Sequence, residues 1–390
     1  MGPFSTSLVL SKNSDERQGK FGNNGRFCKN ALKNDCDPAL RDSITIMNVI
    51  GLDIGGANLK ASDGNCLTRS MEFPLWKQPD QLAGAIKKLL QPFPPASRWG
   101  VTMTGELADC FPTRAVGVRS ILDAVSTLRD EQDVLVWQTS GEFVSLEEAR
   151  EFPALTAAAN WHALATWAGR MAPAGPALVI DIGSTTTDII PLEGGIPVPR
   201  GRTDLERLAS GELVYLGVRR TPVASLITDV TLWGEETGIA RELFATTLDA
   251  HLWLGHLAEE PLSRSPANGK PCTSEAAGDR LARMVCADRD LLSSTEIQQI
   301  AEAVHRREIA LLSAALKKVL SRMKQPQAIL LTGEGEFLAR QLLEIPRSRF
   351  PCEEQIFLGD LLGSMHSQGA CAYALARLAW EHSGEGGWIS

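Results

Sequence analysis

No CxxC pair occurs among the eight cysteines of this 390-residue chain. None of Cys28, Cys36, Cys66, Cys110, Cys272, Cys286, Cys352 or Cys371 is spaced with a histidine as a zinc site requires. Reduced, mostly buried thiols are therefore expected. The histidines, His251 and His256 included, form no catalytic triad and no metal spacing along the chain, and His162 reads as a satisfied core residue. Long apolar runs are missing too. The nearest, Leu155 to Ala172, is interrupted by Asn160, His162 and Arg170, so no membrane span is expected. The N-terminus has no apolar centre like that of a signal peptide, and a cytoplasmic enzyme fits. Clustered Lys and Arg are absent from a chain of net charge −8, which excludes a broad nucleic-acid surface. Any phosphate bound is small and held locally.

What is present is a globular composition, 44% apolar and 22% charged, over a length that suggests two or three domains. The beginning differs from the rest. Ser11 to Asp42 is polar and aperiodic, and cannot bury enough surface to offset its ordering entropy, so residues 1–46 are expected to form a disordered tail. Met47 stands directly before the first strand and is the expected biological start; a functional leader is the rival reading.

From Ile46 onward, strand-like runs alternate with helical patterns, as in α/β proteins. Val49-Ile50-Gly51-Leu52-Asp53-Ile54-Gly55 and Leu178-Val179-Ile180-Asp181-Ile182-Gly183 are alike: each is an apolar strand ending in Asp-Ile-Gly and a polar turn. Two related lobes are expected, over 47–175 and 176–366, with a small-residue helix within 367–390 closing the first. Leu155 to Met171 reads as one buried helix, Ser263 to Ser274 as a surface loop, and Ser293 with Glu296 as the capping box of a long helix.

Three segments carry chemistry. In Asp53-Ile54-Gly55-Gly56-Ala57-Asn58-Leu59-Lys60, glycines let backbone amides approach phosphate, Lys60 supplies charge, and Asp53 can hold hydrated Mg²⁺. A plain hairpin with glycine in its turn would read the same way. In Asp181-Ile182-Gly183-Ser184-Thr185-Thr186-Thr187-Asp188, four hydroxyl residues stand between two aspartates, a pattern suited to cradling a phosphate and its metal. Leu331-Thr332-Gly333-Glu334-Gly335-Glu336 could admit a ring or ribose, or be a simple strand-to-helix turn. Their order matches the superfamily of actin, the heat-shock chaperones and the sugar kinases, and implies an α/β, actin-like, two-lobed fold with duplicated mixed sheets. Neither the Rossmann nor the Walker glycine pattern occurs at these strand ends.

Within that superfamily the chain resembles the hydantoinase/oxoprolinase-like proteins of tetrahydromethanopterin-linked one-carbon metabolism. The resemblance runs from about Met47 to the C-terminal helix. It rests on Gly51 to Lys60, Thr102 to Asp109, Asp181 to Asp188, Gly201-Arg202-Thr203-Asp204, Gly211 to Tyr215, Arg219 to Pro222 and Arg241 to Thr247. It implies aryl-ether formation for a methanofuran-type cofactor: the phenol of γ-glutamyltyramine displaces diphosphate from an aminomethyl-furan, with Mg²⁺ as cofactor. The residue roles so implied are Asp53, Asp181 and Asp188 at the metal, and Gly55, Gly56, Asn58, Lys60, Ser184, Thr185 and Thr186 at the diphosphate. Arg202, Arg219 and Arg220 could clamp an anion or serve as ordinary ion-pair residues. Glu106 is the candidate base, or a hydrogen-bonded interdomain carboxylate. Trp76 and Trp137 are candidate linings of an aromatic pocket. An ATP-dependent kinase, an oxoprolinase-like hydrolase and a nucleotide-switched scaffold remain open, as does the oligomeric state, a homodimer included.

Overall fold

The computed structural model describes residues 48–344 and 352–382. The tail expected over 1–46, Met47 and residues 383–390 of the expected closing segment lie outside the described residues.

The first sheet is built from β1 (Val49–Ile54), β2 (Asn58–Ser62), β3 (Thr68–Glu72), β4 (Arg98–Met103), β5 (Asp133–Trp137) and β6 (Phe143–Val144), in the order β3-β2-β1-β4-β5-β6. β1 is buried along its whole length and pairs parallel with β4, which is why it reads as one apolar run and not as an alternation. Its other neighbour, β2, is antiparallel and joined by a tight turn. The second set contains β7 (Pro176–Ile182), β8 (Thr187–Glu193), β9 (Ile196–Pro197), β10 (Leu213–Val214), the separate ribbon β11 (Asp229–Leu232) and β12 (Glu235–Gly238), then β13 (Ala328–Thr332) and β14 (Glu354–Phe357). Its order is β10-β8-β7-β13-β14. Here too the strand ending in Asp-Ile-Gly is central, with an antiparallel hairpin partner on one side and parallel strands on the other. Two copies of this mixed sheet constitute the actin-like α/β fold that the repeated motif implies.

A helix over Ala370–His382 closes the structure by lying directly on the first sheet. Small residues permit this: a Cβ placed on Gly51 would stand 2.0 Å from the carbonyl oxygen of Ala372, and one on Gly100 would stand 3.0 Å from that of Leu375. The helix Asn160–Ala168 shares an apolar cluster with this closing helix and with Val179, Ile190 and Leu330 of the second sheet. This core ties the sheets together.

The single helix expected over Leu155 to Met171 is broken. The carbonyl of Leu155 accepts from the amide of Thr139 at 2.9 Å, Ala158 takes a left-handed φ of 48°, and the regular helix starts only at Asn160. The long helix Ser294–Leu320 does begin at the capping box of Ser293 and Glu296. No disulfide joins the described cysteines, but only Cys272 and Cys371 are buried, fewer than expected; Cys286 is exposed on the turn after a helix. Among the described residues no helix is long and apolar enough to cross a membrane.

Candidate functional site

Strand register assembles the polar centre. Asp53 ends β1 opposite Lys60 of β2 and beside Thr102 of β4. In the duplicate, Asp181 ends β7 opposite Asp188 of β8 and beside Thr332 of β13. Residues directly opposite in a ladder project to the same face, so each turn presents two charged side chains together. The turns also correspond: Gly55 N–H donates to Asn58 O at 3.0 Å, and Gly183 N–H donates to Thr186 O at 2.9 Å. Both of these amides are therefore used within the turns.

Charge is unbalanced here. Burial is the main cause that raises the Asp181 carboxyl to about 7, with Asp188 adding to it and Lys60 opposing it. Burial likewise raises Asp53, against Lys60 and with Asp188. One oxygen of Asp53, Oδ1, is buried without a hydrogen-bond partner. Burial works against the charge of Lys60, but Asp53, Cys371, Asp181 and Glu334 outweigh it and hold the ammonium above its ordinary value. Asp188 is ion-paired with buried Arg207, whose guanidinium lies 4.0 Å from the centre of the Trp161 ring. Three carboxylates thus face two cations. An orphaned buried carboxylate oxygen, and a carboxyl pushed up first by burial and then by a like-charged neighbour, are what a divalent cation would relieve, so this donor set fits Mg²⁺.

Gly333 closes the centre from the third segment. Its φ is +96°, and a Cβ there would lie 2.4 Å from Asp181 Oδ1, so only glycine lets this turn come so close to the carboxylate. Its amide donates to Ser367 Oγ at 3.2 Å. Cys371, at the start of the closing helix, is a neutral thiol, raised well above its usual range by burial and then by Asp53 and Asp181.

A cleft of about 760 Å³ opens beside this centre, with Asn58, Lys60 and Trp76 on one side and Asp181, Ser184, Arg219, Arg220 and Glu334 on the other. Arg219 is bound to Glu334 at 2.5 Å and also to Glu260, and these carboxylates hold its guanidinium above its ordinary value against the cost of burial. Arg220 reaches across the cleft, 4.9 Å from the ring centre of Trp76. Ser263 to Gly269, read from sequence as a surface loop, forms part of the wall.

Of the residues expected at the site, Asn58, Lys60, Asp181, Ser184, Arg219 and Arg220 line this cleft. Asp53 and Asp188 stand buried behind it. Gly55, Gly56, Thr185 and Thr186 form the turns without being part of the lining. Arg202 is exposed, with its backbone amide on the Glu206 carboxylate. Glu106 is buried and outside the lining. Arg114 lies 3.8 Å from it and 3.5 Å from Asp204, linking the two lobes. Burial raises Glu106 to about 7, opposed by its own backbone amide and Arg114. Trp76 is in the cleft, whereas Trp137 is a core residue packed on Phe143 and His162. His162 is buried and pushed down to about 4, by burial first and then by Arg202 and Arg207. Glu334 is neutralised by Arg219, and Glu336 turns away to Arg340 and the amide of Gly359, so neither is a free carboxylate at the cleft.

Sequence reasoning missed Arg207, Glu260 and Ser367, whose partners are distant in the chain. It also missed a histidine cluster: His251, His256 and His305 come together although their spacing gave no sign of it.

Two actin-like lobes with a carboxylate–lysine centre define an actin-fold α/β protein with an open cleft beside that centre. The hydantoinase/oxoprolinase family model matches residues 99–357, and the chain belongs to that family. A relative from Methanocaldococcus jannaschii is 32% identical over 299 residues, covering 76% of this chain and 88% of its own. One from Methanococcus vannielii is 34% identical over 166 residues, covering 43% of this chain and 74% of its own. Both are named (4-{4-[2-(gamma-L-glutamylamino)ethyl]phenoxymethyl}furan-2-yl)methanamine synthase. Among solved structures, a nucleotide-free acetone carboxylase aligns over 84% of this chain and 70% of its own, at 11% identity and a TM-score of 0.49. Component A of (R)-2-hydroxyglutaryl-CoA dehydratase from Acidaminococcus fermentans aligns over 86% and 98%, at 14% identity and a TM-score of 0.43. The strand order and directions of the two sheets, and not these distant alignments, carry the fold assignment.

Proposed function

We propose that this chain is a transferase of methanofuran-type cofactor assembly, forming an aryl ether between an aminomethyl-furan diphosphate and the phenol of γ-glutamyltyramine. The observation that carries this reading is the surplus of carboxylate at Asp53, Asp181 and Asp188 beside a cleft that also presents Lys60, Arg219 and Arg220. Such a centre suits a substrate that arrives with a metal-bound polyphosphate group and leaves that charge behind. The names of the two curated relatives support the same product.

Asp53 and Asp181 would hold Mg²⁺ directly or through water, with Asp188 fixed behind them by Arg207. The ion supplies charge neutralisation for the departing diphosphate. Asn58, Lys60 and Ser184 hold diphosphate oxygens, and Arg219 and Arg220 flank them. The phenol oxygen forms a bond to the furan methylene as the bond from methylene to diphosphate oxygen breaks. The electron pair leaves on pyrophosphate, and the phenol proton passes to solvent. Because a furan stabilises positive charge on its methylene, departure can run ahead of attack, and no strong base is required. Trp76, under Arg220, offers an aromatic face for a substrate ring.

The test is product identity. The full chain is incubated with Mg²⁺ and either the furan diphosphate plus γ-glutamyltyramine, or ATP. Ether formation with equimolar pyrophosphate supports the reading. Phosphate release from ATP with no ether formed would sink it and favour a kinase or hydrolase.

A further inference from the structure

His251 sits in the helix Thr247–Trp253 and His256 in the loop that follows it, while His305 and Glu308 come from the long helix Ser294–Leu320. His305 and Glu308 are three residues apart and share a helix face. One ring nitrogen from each histidine lies within 4.8 Å of those of the other two. His251 Nδ1 is 3.2 Å from His256 Nδ1. Tetrahedral zinc, with nitrogens about 2.0–2.1 Å from the ion, sets its ligand atoms about 3.4 Å apart, so this pair already stands close to that spacing.

The other ring nitrogen of His251, Nε2, is 3.1 Å from the carboxylate of Glu308, and both side chains are fully buried. A carboxylate here accepts the hydrogen bond from Nε2–H and so leaves the Nδ1 lone pair facing the cluster, the arrangement by which carboxylates orient metal-binding histidines. His305 Nδ1 is buried with no hydrogen-bond partner. A simple His251–His256 hydrogen bond would leave that nitrogen empty, whereas one cation would accept all three lone pairs. Phe337 packs over His251 and His256 with ring centres 5.1 Å away.

We propose that His251, His256 and His305 bind one zinc-like transition-metal ion, with Glu308 orienting His251, as a brace behind the cleft wall. Three imidazoles suit Zn²⁺ or Co²⁺ and not Mg²⁺, which prefers oxygen. The brace ties the long helix to the segment whose Leu248 lines the cleft, and Phe337 stands three residues after Glu334.

The full chain, stripped by chelator and kept in excess Mg²⁺ so that the carboxylate centre is saturated, is titrated with Zn²⁺ by calorimetry and with Co²⁺ by visible absorption. One equivalent should bind, with nitrogen-ligand Co²⁺ bands and a raised Tm. A His256→Gln/His305→Gln double variant, changed at two partly buried positions, should bind more than about 100-fold more weakly, since it removes two ligands where loss of a second-sphere partner alone costs about 10- to 100-fold. Its circular dichroism and its Mg²⁺-dependent pyrophosphate binding should be unchanged. If that variant fails to fold, Co²⁺ bands in the unaltered chain decide the matter. Absence of stoichiometric Zn²⁺ binding, sulfur-type Co²⁺ bands, or undiminished affinity in the variant would overturn the proposal.

Discussion

Asp181 and Asp188 face each other across the β7–β8 ladder, and only Asp188 has a cation, Arg207, bonded to it. The unequal pairing makes Asp181 the carboxyl that keeps its proton, raised by burial and Asp188 from 3.8 to about 7. Its folded value exceeds its unfolded one. The stability it contributes is complete below pH 3.8 and is lost as pH rises through about 7.

Mg²⁺ must displace that proton, so its affinity should increase with pH and level off above about pH 7. Melting curves from pH 4 to 8, with and without Mg²⁺, measure both effects. Asp181→Asn should abolish the Mg²⁺-dependent rise in Tm, flatten the pH slope and remove turnover. An unaltered Mg²⁺ response in this variant would take Asp181 out of the metal site.

Arg219 is held between Glu334 and Glu260 at the mouth of the cleft. Charge-assisted bonds to an anion contribute roughly 1.5–3 kcal/mol each, so Arg219→Ala should weaken Mg-pyrophosphate binding about 10- to 100-fold. Calorimetry reads this directly. The exposed Arg202 is the control: Arg202→Ala should change that affinity less than about threefold, since an exposed charge outside the lining contributes little.

The fold was legible because strands covered on both faces are continuous apolar runs, and both copies of Asp-Ile-Gly fall at strand ends. The hydroxyl-rich turn and Lys60 were legible for the same reason. Arg207 was not: it lies within an ordinary amphipathic stretch, and its partner Asp188 is 19 residues away. The histidines were invisible because His251 and His305 are joined only by packing of two helices. The break before Asn160 was hidden too, since it follows from a long-range bond between Leu155 and Thr139.

Glu106 has the pKa of a general base but the surroundings of a latch, 1% exposed and linked through Arg114 to Asp204. Glu106→Gln keeps its shape and removes its charge. We expect kcat within about threefold and an unchanged pH profile, against the ~10²–10⁴-fold loss that removal of a general base brings. A large loss of kcat together with a vanished limb near pH 7 would instead make Glu106 the base.

The closing helix offers the clearest stability test. A Cβ on Gly51 would sit 2.0 Å from Ala372 O and 2.6 Å from Ala376 N, while one on Gly84 meets nothing within 4 Å. Backbone atoms of a helix cannot swing aside as a flexible side chain can. Gly51→Ala must therefore push the helix Ala370–His382 off β1, and overpacking of this kind costs about 1–3 kcal/mol or more. Turnover should fall as well, because the same displacement moves Cys371, which lines the cleft, and the adjoining Ser367. Gly84 lies in the exposed part of the helix Leu82–Leu90, where replacement by Ala should stabilise by about 0.5–1 kcal/mol with activity intact. Denaturant titration of both variants measures the contrast. Equal midpoints would mean that the helix does not lie against Gly51 in solution.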